Sequence, residues 1–573
     1  MSPRLLRTHL PFVLGLVLSG NSHLGFAKAK TYAEQIYTGG DIVTVSETAG
    51  NPEALAIADG KILAIGSQKQ IEKLYRGPKT KLVSLAGKTL LPGFIDAHSH
   101  YFSSLSVAHQ ANVYAPPAGP AKDVDTLIAT LKAFKESQKI GKGEIIQAYG
   151  YDDTVMPGGR LLNRDDLDAA FPDNPVLVGH VSMHGAVLNS RALEKWGITA
   201  STPTPPGGII VRKPGTEEPW GLIMETAFLP IFAHLPKPSA DEEVAWSLAG
   251  QKLYAEAGIT TAHEGATHAD ELALMKRAAK AGAHLIDIVA FPFITDLDAV
   301  LKENPVQTWG TYRDGLKIGG VKITIDGSPQ GRTAFFRTPY LTGGPSGEKD
   351  WRGELSFPET MITQMVKRVY GLGVPLNLHA NGDAAIDVFL KAHQEAAADD
   401  PTRDRHVTMI HSQFVHPEQL DSFVRFHITP SFYTLHTYYF AEAHTANRGA
   451  AETQYISPFR DALKKGLHPT NHTDFVVVPL DQMFMLHSAV NRVSRAGNVI
   501  GADQRISPLE GLRAMTLDAA RQYGEEAQKG SLEKGKLADL VILDKNPLSV
   551  DPAAIKDIKV LETIKAGKTI FRR

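Results

Sequence analysis

The stretch LPGFIDAHSH, Leu91 to His100, decides how the rest of the chain is read. It is an apolar run that ends in two histidines separated by one serine. Side chains two apart on a β-strand share a face, so His98 and His100 can address the same object. Two neutral imidazoles converging on one point suit a metal ion. Chance sets the bar. With 22 histidines in 573 residues, about one pair at any chosen spacing arises at random, so the pair needs support from elsewhere in the chain.

At 43% hydrophobic residues the chain is globular and long enough to bury a large core. Length alone suggests roughly three domains, although a decorated α/β barrel absorbs most of it. The formal net charge of -2 and the lack of a basic block exclude nucleic acid as the expected partner. Cysteine is absent, which removes disulfides, a thiol nucleophile, cysteine metal ligands and a lipid-attached N-terminus. Arg4 and Arg7 precede an apolar segment, Leu10 to Leu18, and the small residues of GFAKAK follow. That is the layout of a secretory signal peptide over residues 1–29, with cleavage after Ala27 or Ala29. The segment is too short to span a bilayer. The two arginines are not adjacent, which favours the general secretory route over the twin-arginine one. The expectation is a periplasmic or secreted protein with no stable membrane anchor.

Short strand patterns separated by glycine turns occupy residues 30–92, and the same texture returns over 530–573. Gly39-Gly40 and Asp59-Gly60 read as hairpin signals. Two such flanking segments predict one composite β-sandwich domain built from both termini. Between them, 93–529 alternates strand and helix patterns: FIDAHS, GITTAHEG, HLIDIVAFP, GGVKITID, VPLNLHAN, HVTMIHSQ, HITPSFYTL and a last strand near HPTNHTD. Eight strands with intervening helices predict an α/β fold, a (β/α)8 TIM-like barrel. A large insertion after its first strand, about 102–229 and rich in Pro and Gly, is expected to cap the mouth.

In such barrels the chemistry sits at the C-terminal strand ends. That gives a test independent of the first histidine pair. His379 ends VPLNLHAN, with Asn377 on its face, and His411 ends HVTMIH. The two lie about one βα repeat apart, roughly 30 residues. Asp474, in HTD, follows two repeats later. In GGVKITIDGS, Val321, Ile323 and Ile325 form one face and Lys322, Thr324 and Asp326 the other. A lysine facing a barrel interior is costly unless it is paired or modified. Singly, each has a plain alternative: a structural histidine, a solvated Lys322 rivalled by Lys317, an Asp474 that caps a helix. Together they fall on strand ends in the right chain order.

LPGFIDAHSH, a lysine on the fourth strand, histidines on the fifth and sixth and an aspartate on the eighth resemble the amidohydrolase superfamily of metal-dependent hydrolases. More narrowly the chain is similar to its amidohydrolase-3 branch, which includes N-substituted formamide deformylases and exoenzyme regulatory proteins. VKITIDGSPQGRTAFFRTPY, LNLHANGDAAI, HTD and GSLEKGKLADLVILDKNPL support this, and the similarity runs from about Gln35 to the C-terminus. The resemblance implies that His98 and His100 bind one metal. Lys322, carboxylated, would bridge to a second ion held by His379 and His411. Asp474 would touch the first metal and its water. One or two divalent ions are implied, zinc being the natural choice for nitrogen and oxygen ligands. The implied reaction is attack of a metal-activated hydroxide on a carbonyl, with Asp474 as general base and then acid.

Further candidates for substrate contact are His184 and Asn189 in HGAVLNS, Glu225 in GLIMET, Arg332, and His436. His263, in AHEG, is another pocket candidate. Pro469 argues against a helical metal face formed by His468 and His472. His180 and His184 can share a strand face but have no evident third ligand. The expected function is an exported hydrolase of an amide or N-formyl C–N bond in a small molecule. The same scaffold also serves deaminases and cyclic-amide hydrolases, and a non-catalytic regulatory protein keeping the fold is the reading from a different class. A homodimer is compatible with the resemblance.

Overall fold

The computed structural model describes residues 31–46, 50, 52–181, 185–205, 208–228, 230–231, 234–235, 238–344 and 348–573. The expected signal peptide, 1–29, lies outside them. Among the described residues no helix is long and apolar enough to cross a membrane.

Nine parallel strands carry the candidate site: β1 (Phe94–Ile95), β2 (Ile259–Thr267), β3 (Asp287–Pro292), β4 (Leu316–Ile318), β5 (Val321–Thr324), β6 (Leu376–Ala380), β7 (Val407–His411), β8 (Ile428–Phe432) and β9 (Thr470–Asn471). They form two sheets of order β4-β3-β2-β1 and β5-β6-β7-β8-β9. Gly319 and Gly320 alone separate β4 from β5, so these two short pieces share one expected strand position. A Cβ on Gly320 would lie 2.3 Å from the Pro375 carbonyl oxygen, so only glycine lets the two backbones pass this closely. At the other seam, Asp474 N donates to His98 O at 3.0 Å and His100 N to Phe475 O at 2.6 Å. Asp96, buried just after β1, accepts from the Thr473 amide at 3.2 Å and hydroxyl at 2.5 Å. The ends of the first and last strands are therefore fastened at the positions that carry candidate ligands.

Outward-facing residues of these strands, among them Val321, Ile323, Leu376, Leu378, Val407 and Met409, join one large core with the surrounding helices. Helices Glu359–Leu372 and Asp383–Ala396 illustrate the pattern. The first buries one apolar stripe, Ile362, Val366 and Val369, and turns its charged residues to solvent, whereas the second is buried over most of its length, Asp383 included.

Strands from the two ends of the chain meet in a five-stranded sheet. Its order is Asp41–Ile42, Thr89–Pro92, Leu540–Leu543, Val560–Lys565, Lys568–Arg572. A four-stranded sheet, Lys61–Gly66, Ala54–Ala58, Gln35–Thr38, Lys81–Ser84, shares an apolar cluster with it that includes Tyr37, Ile57, Leu90, Leu540 and Ile564. Asp59-Gly60 forms the expected hairpin turn. Gly39-Gly40 does not. The strand before it pairs with Ala54–Ala58 and Lys81–Ser84, and the one after it pairs in the other sheet with Thr89–Pro92. The glycines are needed for a crossing instead: a Cβ at Gly40 would lie 2.2 Å from the Lys88 carbonyl oxygen.

Residues 111–225 contain a separate six-stranded sheet with its own apolar cluster around Leu127, Leu131, Phe171 and Val178. It reaches the strand ends through Tyr114, whose hydroxyl donates to Val476 O at 2.7 Å, and through the Asp152–Arg495 ion pair at 3.2 Å.

Candidate metal centre

Strand alternation turns Lys322 and His379 to one side. His411, in the register of Val407 and Met409, is brought to that side by its positive φ of 71°, and His98 enters from just beyond β1. One ligand atom each from His98, His411 and Asp474 lies within 4.8 Å of the others. Asp474 Oδ1 stands 3.4 Å from both His98 Nε2 and His100 Nε2, and Lys322 Nζ is 3.5 Å from His98 Nε2. His379 stands beside His411, ring centres 4.5 Å apart. Its Nε2 faces Asn381 Nδ2 at 3.1 Å, the Gly327 carbonyl at 3.4 Å and Asp326 Oδ1 at 3.5 Å, so Nδ1 is the nitrogen it has left to offer. The resemblance divides these ligands between two ions. The tightest group draws on both sides of that division.

Three of the four histidines are held from behind. His100 Nδ1 lies 2.9 Å from the Gly265 carbonyl oxygen, which can only accept, so Nδ1 carries a hydrogen. Its Nε2 faces Asp474, whose carboxylate outweighs burial and raises this imidazole; a metal would take the place of any hydrogen on Nε2. His98 Nδ1 meets His263 Nδ1 at 3.2 Å, and His263 Nε2 meets the Asn377 side-chain amide at 2.9 Å; His98 keeps its hydrogen on Nδ1 when that amide is turned to present its oxygen to His263 Nε2. His411 Nδ1 meets His472 Nε2 at 3.2 Å, and His472 Nδ1 meets Ser431 Oγ at 2.9 Å. Tying Nδ1 from outside orients the ring and leaves Nε2 as a ligand, the usual support of a metal-bound imidazole.

Charge follows burial. Burial, with Lys322 and His263 nearby, pushes the His98 imidazole well below its ordinary value, and burial with His379 does the same to His411. His472 is pushed down to about 3, chiefly by burial. Neutral imidazoles are the form that binds a metal. Burial acts to raise the Asp474 carboxyl, but its contact with His100 and the surrounding His411 and His472 imidazoles outweigh burial and hold it well below the usual range. Burial brings the Lys322 amine down to about 7 against the opposing pull of Asp474 and Glu264. Lys322 is 2% exposed and has no carboxylate within ion-pair distance among the described residues. Its rival Lys317 is explained otherwise, by an ion pair to Glu525. The donor set thus fits a divalent ion: neutral nitrogens, one carboxylate, and an amine whose burial is otherwise uncompensated.

Other sequence candidates fare differently. Asp474 caps no helix; Asp481 caps the helix Gln482–Asn491 that follows. Asn189 is structural. It caps Ser190–Lys195, accepting from Ala192 N and Val176 N, and donates to the Asn174 carbonyl. Arg332 has no hydrogen bond or ion pair to the ligand set; its carbonyl accepts from Trp351 Nε1. His184 lies outside the described residues, and so does the Glu225 side chain. His468 pairs with Asp518 at 3.3 Å, away from His472. His436 is 3% exposed beside Tyr433, on the segment after β8.

Sequence reasoning set His472 aside because Pro469 forbids a helix there. That is correct about the helix, but strand spacing puts His472 against His411 through a different geometry. Glu264 was missed. It is buried, raised to about 8 by burial, and accepts from the Phe102 amide. Its place in AHEG beside His263, at the end of a strand, was the available signal.

Residues 81–571 match the family described as amidohydrolase. The chain belongs to the amidohydrolase family. It is 26% identical over 554 residues to the putative amidohydrolase YtcJ of Bacillus subtilis (strain 168), covering 94% of this chain and 99% of that one. It is 24% identical to the N-substituted formamide deformylase of Arthrobacter pascens, over 93% of this chain and 97% of the relative. Among solved structures, an uncharacterised metal-dependent hydrolase from Pyrococcus horikoshii superposes with a TM-score of 0.69 at 23% identity, covering 90% of this chain and 99% of that one. The fold is therefore the mixed α/β fold of this family, and membership of it supports a general hydrolase role.

Proposed function

We propose that this protein is an exported hydrolase of a C–N bond, an amide or N-formyl group, in a small molecule. The observation that carries the reading is the inward turn of three histidine Nε2 atoms, each fixed from behind, around Asp474 and the unpaired Lys322. In this reading β1 to β9 close into one (β/α)8 barrel, with β4 and β5 as a single stave, the 102–229 insertion as its cap and the terminal sheets as a sandwich beneath.

His98, His100, His379, His411 and Asp474 would hold one or two divalent ions, zinc first among them, with a carboxylated Lys322 as a further ligand. The bound ion would supply Lewis-acid polarisation and an acidified water. Carboxylation exchanges a buried cation for an anionic oxygen ligand and so relieves the desolvation cost at Lys322. The Asp474 carboxylate, anionic at neutral pH, takes a proton from the attacking water at Oδ1 and returns it to the departing nitrogen. The cap segment, fastened through Tyr114 to Val476 just beyond Asp474, would cover the strand ends and limit the access of bulk solvent to the reacting groups.

The test is metal analysis of the purified protein together with a substrate screen. N-formyl and N-acyl amines, cyclic amides and amino-substituted heterocycles are offered to wild type and Asp474→Asn. Stoichiometric divalent metal and turnover of an open-chain amide by wild type alone are expected. Turnover confined to amino-heterocycles would make it a deaminase. A folded, metal-free protein that turns over nothing would favour a binding role. Fractionation of the native producer, with the mature N-terminus sequenced, tests export.

A further inference from the structure

Two buried polar side chains just after β8 have no role in the scheme above. Alternation along the strand puts Ser431 and Tyr433 on the side of the ligands. Ser431 Oγ meets His472 there, and the Tyr433 ring stacks on His472 with centres 5.4 Å apart at 15°, 6.3 Å from His411. The Tyr433 side chain is fully buried and its hydroxyl has no hydrogen-bond partner among the described residues. His436 packs edge-on to the same ring at 4.5 Å, and its Nδ1 lies 2.9 Å from Nε2 of the buried His444.

Counting hydrogens fixes the tautomers. One of those two facing nitrogens must carry the shared hydrogen. If it is His436 Nδ1, then His444 Nε2 is bare and the His444 hydrogen sits on Nδ1, which is buried with no acceptor. If it is His444 Nε2, only a bare lone pair is left without a partner. An orphaned N–H is the rarer and costlier of the two. The second arrangement leaves His436 with its hydrogen on Nε2, an atom with no hydrogen-bond partner among the described residues. Burial keeps both rings neutral.

We propose that Tyr433 Oη and His436 Nε2 form a pair of hydrogen-bond donors for an acceptor oxygen of the substrate, a carbonyl or carboxylate, with His444 as the positioning residue that fixes the His436 tautomer. The inference deepens the hydrolase reading and rests on it for the identity of the reacting bond. An ammonium group placed at His436 would meet a hydrogen and no lone pair, so the pair selects substrates whose polar group there is an oxygen acceptor.

The test uses the full chain, metal-reconstituted and labelled with 15N-histidine, with the His436 resonances assigned by their loss in His436→Gln. A single Nε2–H tautomer at His436 is expected, giving way to a mixture in His444→Phe. Sodium formate then serves as the acceptor probe. Titration should shift the His436 Nε2 resonance, and Tyr433→Phe, which removes one oxygen and keeps the ring, should weaken that binding about tenfold. His436 protonated on Nδ1, with the His444 N–H directed at the Phe414 ring, overturns the proposal. So does formate binding unchanged in Tyr433→Phe. Neither readout needs turnover, so a protein that gives both results but hydrolyses no amide refutes the hydrolase reading alone.

Discussion

Asp474 handles the proton in the proposed reaction, and its replacement by asparagine keeps the side-chain size while removing basicity. Positioned acid–base help is worth about 10²–10⁴-fold, so kcat/KM should fall by that order in Asp474→Asn, compared at matched metal content. A fall below tenfold would take the proton out of its hands. His472 acts one bond further out, holding His411 Nδ1. Support of that kind is worth about 10–100-fold in metal affinity. His472→Phe should therefore lose metal to a competing chelator at correspondingly lower chelator concentration, with its far-UV spectrum unchanged. Equal retention by variant and wild type would show that His411 needs no such backing.

At the scale of the element, β2 matters more than its sequence suggests. It contributes His263 behind His98 and the Gly265 carbonyl behind His100, and Gly265 itself is pressed against the site. A Cβ there would lie 2.5 Å from His98 Cε1 and 3.0 Å from His263 Cε1. Gly265→Ala should displace both rings, and a misplacement near 1 Å costs on the order of 10²-fold in rate. Hydrolysis kinetics and metal content of the variant check it; wild-type values for both would mean that the rings relax freely.

The same strand shows where the sequence was readable. The strand-end residues His98, His379 and His411 stand out because each ends an apolar strand run, which is a local signal, and the chain order of the strands supplied the rest. His263 and His472 act through pairings between strands that lie far apart in the chain, and no local pattern announces those. Tyr433 drew no attention in SFYTL, since an unsatisfied hydroxyl is visible only once its neighbours are placed. The Gly39-Gly40 turn misled for a related reason: two glycines signal a tight backbone but not which strands it joins.

Across the whole molecule, a buried ion network joins the nine site strands to the terminal sheets. Asp287, at the start of β3, lies 2.5 Å from Lys529 Nζ and 2.6 Å from Lys565 Nζ, and Lys565 is 2.7 Å from Asp539. Burial acts to raise the Asp287 carboxyl, but the two ammonium groups outweigh it and hold it far below its ordinary value. A carboxyl depressed on folding contributes stability that is present above its unfolded pKa, near 4, and is lost as pH falls below it. The midpoint of thermal unfolding should therefore drop steeply below about pH 4. Asp287→Asn, which leaves buried cations short of a partner, should cost about 3 kcal/mol at neutral pH and flatten that acid limb. An acid limb of unchanged steepness would assign it to other carboxylates. Metal removal should act on the same observable, because an ion bound only by the folded state adds about 4 kcal/mol at a thousandfold excess over its Kd. Dialysis against a chelator should lower the melting temperature and added zinc restore it.

The strand Thr89–Pro92, which runs directly into the first histidine pair, has Leu540–Leu543 as its antiparallel neighbour. That neighbour follows all six candidate ligands in the sequence. Without it, the entry to Phe94 and His98 lacks one flank. A variant truncated ahead of Leu540 is therefore expected to hold divalent metal more weakly than the full chain, even though it retains every candidate ligand.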